Sequence, residues 1–174
     1  MIRETGLEDR EMSRTNVPVR SMQALELRIP PLVLLALAAA LMWLLAVAVP
    51  AASFNNSWNT HLALLSVISG IAIVLLGVVA FRRAGTTVDP RVPQRTSQVV
   101  NSGIYRRSRN PMYLGFLLVL SGWALYLSNG LCFLLLPLFI VYMNRFQILP
   151  EERMMLEKFG TQYSAYRTQV RRWI

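Results

Sequence analysis

Two short stretches hold most of the side chains able to do chemistry. Residues 103–115 read "GIYRRSRNPMYLG", three arginines and two tyrosines around an Asn-Pro pair. Residues 150–166 read "PEERMMLEKFGTQYSAY", an acidic pair followed by two tyrosines three residues apart. The first runs directly into a long apolar stretch and the second follows its far end. If that stretch folds back on itself, the basic, aromatic cluster and the acidic pair face each other. A site between them is polar on one side and apolar on the other, which suits a reaction joining a soluble reagent to a lipophilic one. A plainer reading stands beside it. Glu151 and Glu152 follow Pro150, and acids in a helix's first turn are stabilised by its dipole by about 0.3–1 kcal/mol.

Other chemistries lack their residues. Cys132 is the only cysteine and lies within an apolar run, so neither a disulfide nor a cysteine metal site forms, and a buried thiol is expected. His61 is the only histidine and sits in a polar connection far from both clusters, too little for zinc or a Ser-His-Asp triad. No metal site is expected. No GxGxxG or P-loop string occurs, which excludes the usual nucleotide cradles.

The elements that must position these clusters come in apolar blocks. The chain has 174 residues, 54% of them hydrophobic and 16% charged. Residues 31–49 and 62–81 carry no charge, and neither does 113–144, where Ser-Asn-Gly at 128–130 supplies turn chemistry. A bilayer core needs about 20 apolar residues per helix. Four membrane helices follow: 31–49, 62–81, a short one over 113–127, and one over 131–149. Ser66, Gly70 and Gly77 share a face of the second, where small residues let another helix approach closely.

Charge orients them. The segment before the first helix holds five Lys/Arg, the 82–112 loop seven and the tail from Arg145 six, which accounts for all 18. Four spans put these three segments on one side, and the positive-inside rule makes that side cytoplasmic, termini included. The same asymmetry explains a net charge of +9 without nucleic acid, since anionic headgroups attract such loops. The first 28 residues, polar and mixed in charge, are unlike a cleavable signal peptide, and "SMQALELRI" at 21–29 is expected as an interfacial helix. The expected organisation is a cytoplasmic segment over 1–28, two spans over 29–81 and a catalytic core over 82–174, in the cytoplasmic membrane of a prokaryote.

"NSGIYRRSRNPMYLG", a helical hairpin and then "EERMMLEKFGTQYSAY" resemble the isoprenylcysteine carboxyl methyltransferase family, whose wider relatives include the phospholipid N-methyltransferases. The resemblance covers roughly 85–174 and fixes the superfamily better than the substrate. It implies an all-α integral membrane protein in which the motif loop, hairpin and C-terminal helix enclose a non-Rossmann site for S-adenosylmethionine. Carried across residue by residue, Tyr105 and the turn Asn110, Pro111, Met112 and Tyr113 line the cofactor, with Ser97, Gln98, Val99 and Val100 just upstream. Glu151 meets it from the opposite wall. A methyl sulfonium is cationic, so tyrosine faces and a carboxylate favour it. Many relatives have histidine in place of Asn110, which cannot act as a titrating base. Relatives acting on carboxylates place an arginine about one turn before the acidic pair. Arg145 is the candidate, although six residues separate it from Glu151, so either the register differs or the substrate is not a carboxylate. Glu152 is the candidate base if one is needed.

The function implied is methyl transfer to a carboxyl, thiol or amine of a lipophilic molecule or lipid entering from the bilayer. Two alternatives come from other classes: an NADPH-dependent enzyme like the membrane sterol reductases, and a non-catalytic membrane scaffold. Arg106, Arg107 and Arg109 read as interfacial anchors or as ligands, Trp173 as an aromatic-belt residue, and Tyr163 and Tyr166 as either.

Overall fold

The computed structural model describes residues 26–54, 56–85 and 98–174. Among them the chain is helical, without strands. Helix α1 spans Pro31–Ala48, with Pro31 at its first position, where a missing N–H costs nothing. Helix α2 spans Asn59–Arg83 and ends on two arginines that suit a helix C-terminus. Helix α3, Pro111–Leu127, starts at the proline of the Asn-Pro pair and stops where Ser128 turns left-handed at φ 49°. A 3₁₀ segment, Gly130–Leu134, leads into α4, Leu135–Met143, and a π-helical stretch, Asn144–Ile148, joins it to α5, Leu149–Gln169.

Three helical stretches are long and apolar enough to cross a membrane, namely α1, α2 and the rod from Gly130 to Gln169, and α3 is a shorter apolar helix. The fourth crossing and the C-terminal helix, separate in the sequence reading, follow one another without an intervening loop up to the bend at Gly160. The apolar first part of this stretch ends at Ile148, and its charged remainder packs against Val99 and Tyr105 through Tyr163 and Tyr166. At 1.5 Å per residue α3 is about 25 Å long, a little under a bilayer core. Of the interfacial helix expected over 21–29, residues 21–25 lie outside the described ones, and 26–29 form a turn.

The second and third crossings meet backbone to backbone. A Cβ on Gly115 would lie 2.6 Å from the Gly70 carbonyl, one on Gly122 2.7 Å from that of Ala63, and one on Gly77 2.6 Å from Met112 Cγ. Residues 63, 70 and 77 recur every seven positions along α2, as 115 and 122 do along α3. The two small-residue faces form an antiparallel seam, and Ser66 Oγ donates to the Leu118 carbonyl at 2.8 Å within it. Helix α1 joins from the other side. Trp123 Nε1 donates to the Ala39 carbonyl at 3.0 Å, and the Cys132 thiol donates to that of Met42 at 3.2 Å. Met42, Tyr113, Phe116, Leu120, Ala124, Cys132, Phe139, Met143 and Ile148 form the buried core between them.

The uncharged end is closed by Asn129, whose Nδ2 donates to the Val49 carbonyl at 2.8 Å while its Oδ1 accepts from Leu131 N–H at 3.0 Å. The other end gathers the start of α1, the end of α2, the turn before α3, the π stretch and the segment after α5. Every charged side chain among the described residues belongs to those segments or to α5.

Helix α5 bends at Gly160, with φ 48° and ψ −118°. A Cβ there meets nothing within 4 Å, so the demand for glycine is one of backbone conformation alone. Gly160→Ala is expected to lower stability by about 1–2 kcal/mol without a packing defect, read as a reduced thermal midpoint with unchanged helical content.

Candidate active site

Asn110 precedes a proline and is held out of the helical region at φ −128°, so α3 begins at once after it. Tyr113 therefore occupies the first turn of α3. Pro150 likewise places Glu151 and Glu152 in the first turn of α5. The two helix starts meet: the Tyr113 hydroxyl donates to Glu151 Oε1. Tyr113 is buried, with its ring centroid 6.2 Å from that of Phe116.

Further tyrosines surround this pair. Tyr105 is buried with its ring edge-on to Phe81 at 5.2 Å, and its carbonyl accepts from the Tyr166 hydroxyl at 2.7 Å. Burial, then Tyr166, then Glu151 push the Tyr105 phenol well above its ordinary value. Burial also raises Tyr166, and burial with Glu152 nearby pushes Tyr163 up to about 12. These three remain neutral phenols at physiological pH. Glu151 is partly accessible but densely surrounded, and burial pushes its carboxyl up to about 8, opposed by the Tyr113 hydrogen bond and reinforced by Glu152.

The neighbouring carboxylate is employed differently. Glu152 is buried and accepts from Arg172 through Nε at 3.0 Å and Nη2 at 2.7 Å, while Arg109 Nη2 lies 2.9 Å from its Oε1. Adjacent glutamates on one helix thus face different partners. Arg145 is also engaged. Its Nη1 lies 2.7 Å from Glu26 Oε1, its guanidinium stands 5.4 Å from the Phe146 ring, and Arg153 takes the other Glu26 oxygen. Leu27 N–H donates to the Phe146 carbonyl at 3.0 Å and Gln147 Nε2 to that of Ile29 at 2.7 Å, so residues 26–29 lie along the π stretch.

The remaining expected positions divide. Asn110 turns its Nδ2 to the Arg172 carbonyl at 3.0 Å, and Pro111 is fully buried under α3. Met112 packs beneath Gly77 on α2. Val100 lies with Ala80 and Tyr105, and Val99 with Tyr163 and Tyr166, so this strip ties the end of α2 to α5. Gln98 is exposed and donates to the Ala84 carbonyl, and Ser97 lies outside the described residues.

Two readings gain partners. Trp173 is half-buried, its Nε1 donating to Asn144 Oδ1 at 3.1 Å and its ring packing on the core. Arg109 is an ion-pair partner of Glu152 and only 10% exposed, whereas Arg106 and Arg107 are exposed. Nothing in its spacing singles out Arg172, which meets Glu152 across 20 residues of chain.

The described residues are helical, with apolar stretches able to cross a membrane and a tyrosine–glutamate pair at their charged end. The phospholipid methyltransferase family model matches residues 58–162. The chain belongs to that family, which lies in the wider membrane methyltransferase superfamily that includes the isoprenylcysteine carboxyl methyltransferases. An uncharacterized protein of Haemophilus influenzae is 46% identical over 63 residues, which is 36% of this chain and the whole of that protein. No solved structure matches.

Proposed function

We propose that this protein methylates a carboxyl, thiol or amine of a lipophilic molecule or lipid that reaches the charged end through the bilayer, with S-adenosylmethionine as donor. The observation that carries the reading is the Tyr113–Glu151 pair, formed where two helix starts meet. Its chemistry suits the donor: a carboxyl beside phenols for a cation, and a buried Arg109 Nε without a hydrogen-bond partner as a spare donor for an anionic group. When bound, S-adenosylmethionine supplies an electrophilic methyl on a sulfonium that leaves readily.

The protein's own part is then binding, orientation and exclusion of water. Glu151 balances the positive charge and Tyr113 orients Glu151. Tyr105 walls the site and, staying neutral, adds no charge of its own. Positioning and desolvation account for most of the rate. Glu152 and Arg145 are engaged in ion pairs within the chain, and this reading assigns the methyl transfer itself to neither. A carboxylate or thiolate acceptor needs no base. By the positive-inside rule the site faces the cytoplasm, in the cytoplasmic membrane of a prokaryote.

The Glu151 carboxyl, raised to about 8, is protonated in the free protein below that pH. A cation favours the carboxylate, so binding releases a proton. Donor affinity is expected to rise with pH by up to about tenfold per unit below pH 8 and then level off. Glu151→Gln should flatten this profile, and calorimetry in buffers of different ionisation enthalpy reads the released proton directly. Turnover is tested by incubating purified protein with trideuteromethyl-labelled S-adenosylmethionine and a bacterial lipid extract. A lipid carrying the heavy methyl group supports the reading. Hydride transfer from NADPH in its place would overturn it.

A further inference from the structure

We infer that residues 170–174 form a strap that sets the geometry of the Tyr113–Glu151 pair, with Arg172 as its positioning residue. The inference rests on the reading that this pair holds the methyl donor.

Helix α5 ends at Gln169, and Val170 is extended at φ −124° and ψ 132°, its N–H donating to the Tyr166 carbonyl at 3.1 Å. The chain then returns to the turn before α3. Arg109 N–H donates to the Arg171 carbonyl at 3.0 Å, and Asn110 Nδ2 to the Arg172 carbonyl at 3.0 Å. The Arg172 side chain grips Glu152 with two nitrogens, and Arg109 grips the same carboxylate at 2.9 Å. Arg109, Asn110, Glu152 and Arg172 thus close a ring of polar contacts among three chain segments. Glu152 is bonded to Glu151, and Asn110 lies three residues before Tyr113. The ring therefore fixes how far apart, and at what angle, the two helix starts stand. Trp173 pins the strap at its other side through Asn144.

The pairing is specific to arginine. A two-nitrogen grip on one carboxylate needs the planar fork, which lysine lacks. Arg172's side chain is 31% exposed, against 7% for Glu152 and 10% for Arg109, so removing it leaves no large buried cavity. The consequence falls on local geometry.

The experiment compares Arg172→Ala, Arg172→Lys and Arg171→Ala in purified full-length protein. Donor affinity is read by calorimetry with S-adenosylmethionine, and backbone order by hydrogen–deuterium exchange over residues 108–114. Arg172→Ala is expected to weaken binding by roughly tenfold or more, as loss of a charge-assisted pair implies. Exchange at Arg109, whose N–H bonds the strap, should quicken. Arg172→Lys should fall between, and millimolar methylguanidinium should restore Arg172→Ala in part. Arg171→Ala removes an equal charge from an exposed side chain and should bind within about twofold of the parent.

A merely structural Arg172 would lower the thermal midpoint while the folded fraction binds as before and exchange at 108–114 stays unchanged. That outcome overturns the strap. If the parent protein itself binds no S-adenosylmethionine, the donor reading fails. The exchange measurement then still decides whether Arg172 orders the turn.

Discussion

Glu151→Ala is expected to reduce S-adenosylmethionine affinity by about 100-fold, roughly 2.7 kcal/mol, while the protein stays folded. Glu151 is the carboxyl aimed at the Tyr113 hydroxyl, whereas Glu152 is taken up by two arginines. A hydrogen bond or ion pair to a charged group contributes about 1.5–3 kcal/mol, more where water is excluded. Partial exposure of Glu151 keeps its removal from opening a sealed cavity. The tyrosine calls for a different substitution. Tyr113 belongs to the buried core and packs near Phe116, so Tyr113→Ala would combine lost binding with lost packing. Tyr113→Phe keeps the ring and removes only the hydroxyl. It should weaken binding by about tenfold, with a thermal midpoint close to the parent's. Calorimetry on both variants, beside their melting curves, separates recognition from folding.

The largest effect on the fold is expected at Gly115. Its Cβ would stand 2.6 Å from the Gly70 carbonyl oxygen and from Val74 Cγ2. The oxygen belongs to a helix backbone and cannot rotate away, so the helices must part. Gly115→Ala should cost about 1–3 kcal/mol, as overpacking does elsewhere. Gly115→Leu should prevent recovery of a monodisperse protein. Because Tyr113 lies two residues earlier on the same helix, whatever Gly115→Ala protein is recovered should also bind the donor more weakly. Gly130→Ala provides the contrast, since its Cβ would meet only the Ala52 carbonyl at 3.6 Å, an ordinary contact. Its cost should stay under about 0.5 kcal/mol. Size-exclusion profiles and melting curves in detergent check the series.

Much of this architecture is legible in the residue order because its signals are local. Uncharged runs mark the crossings, Ser128-Asn129-Gly130 marks the hairpin turn, and Pro111 and Pro150 mark two helix starts. The glycine spacing on α2 announces a close partner, and α3 supplies a matching face. The meeting of Tyr113 with Glu151 follows from the hairpin that joins their helices. What the sequence hides are pairings between distant segments, which carry no periodicity. Glu26 meets Arg145 across 119 residues, and Arg172 meets Glu152 across 20. Those partners hold two candidate catalytic residues, Arg145 and Glu152, in ion pairs within the chain. Asn110 and Met112 likewise spend their side chains on the strap and on α2. The stretch Asn144–Ile148 adds a further obstacle, since a π turn shifts the phase of everything beyond it. Counting residues from Arg145 to Glu151 on an α-helical wheel therefore misplaces one against the other.

The most direct test of the central claim is photolabelling of the purified protein with methyl-tritiated S-adenosylmethionine, followed by peptide mapping. The account predicts label on peptides containing Tyr113 or Glu151, protected by excess unlabelled donor and lost in Glu151→Ala. Label confined to the uncharged end around Val49 and Asn129, or competition by NADPH and not by S-adenosylmethionine, would contradict it.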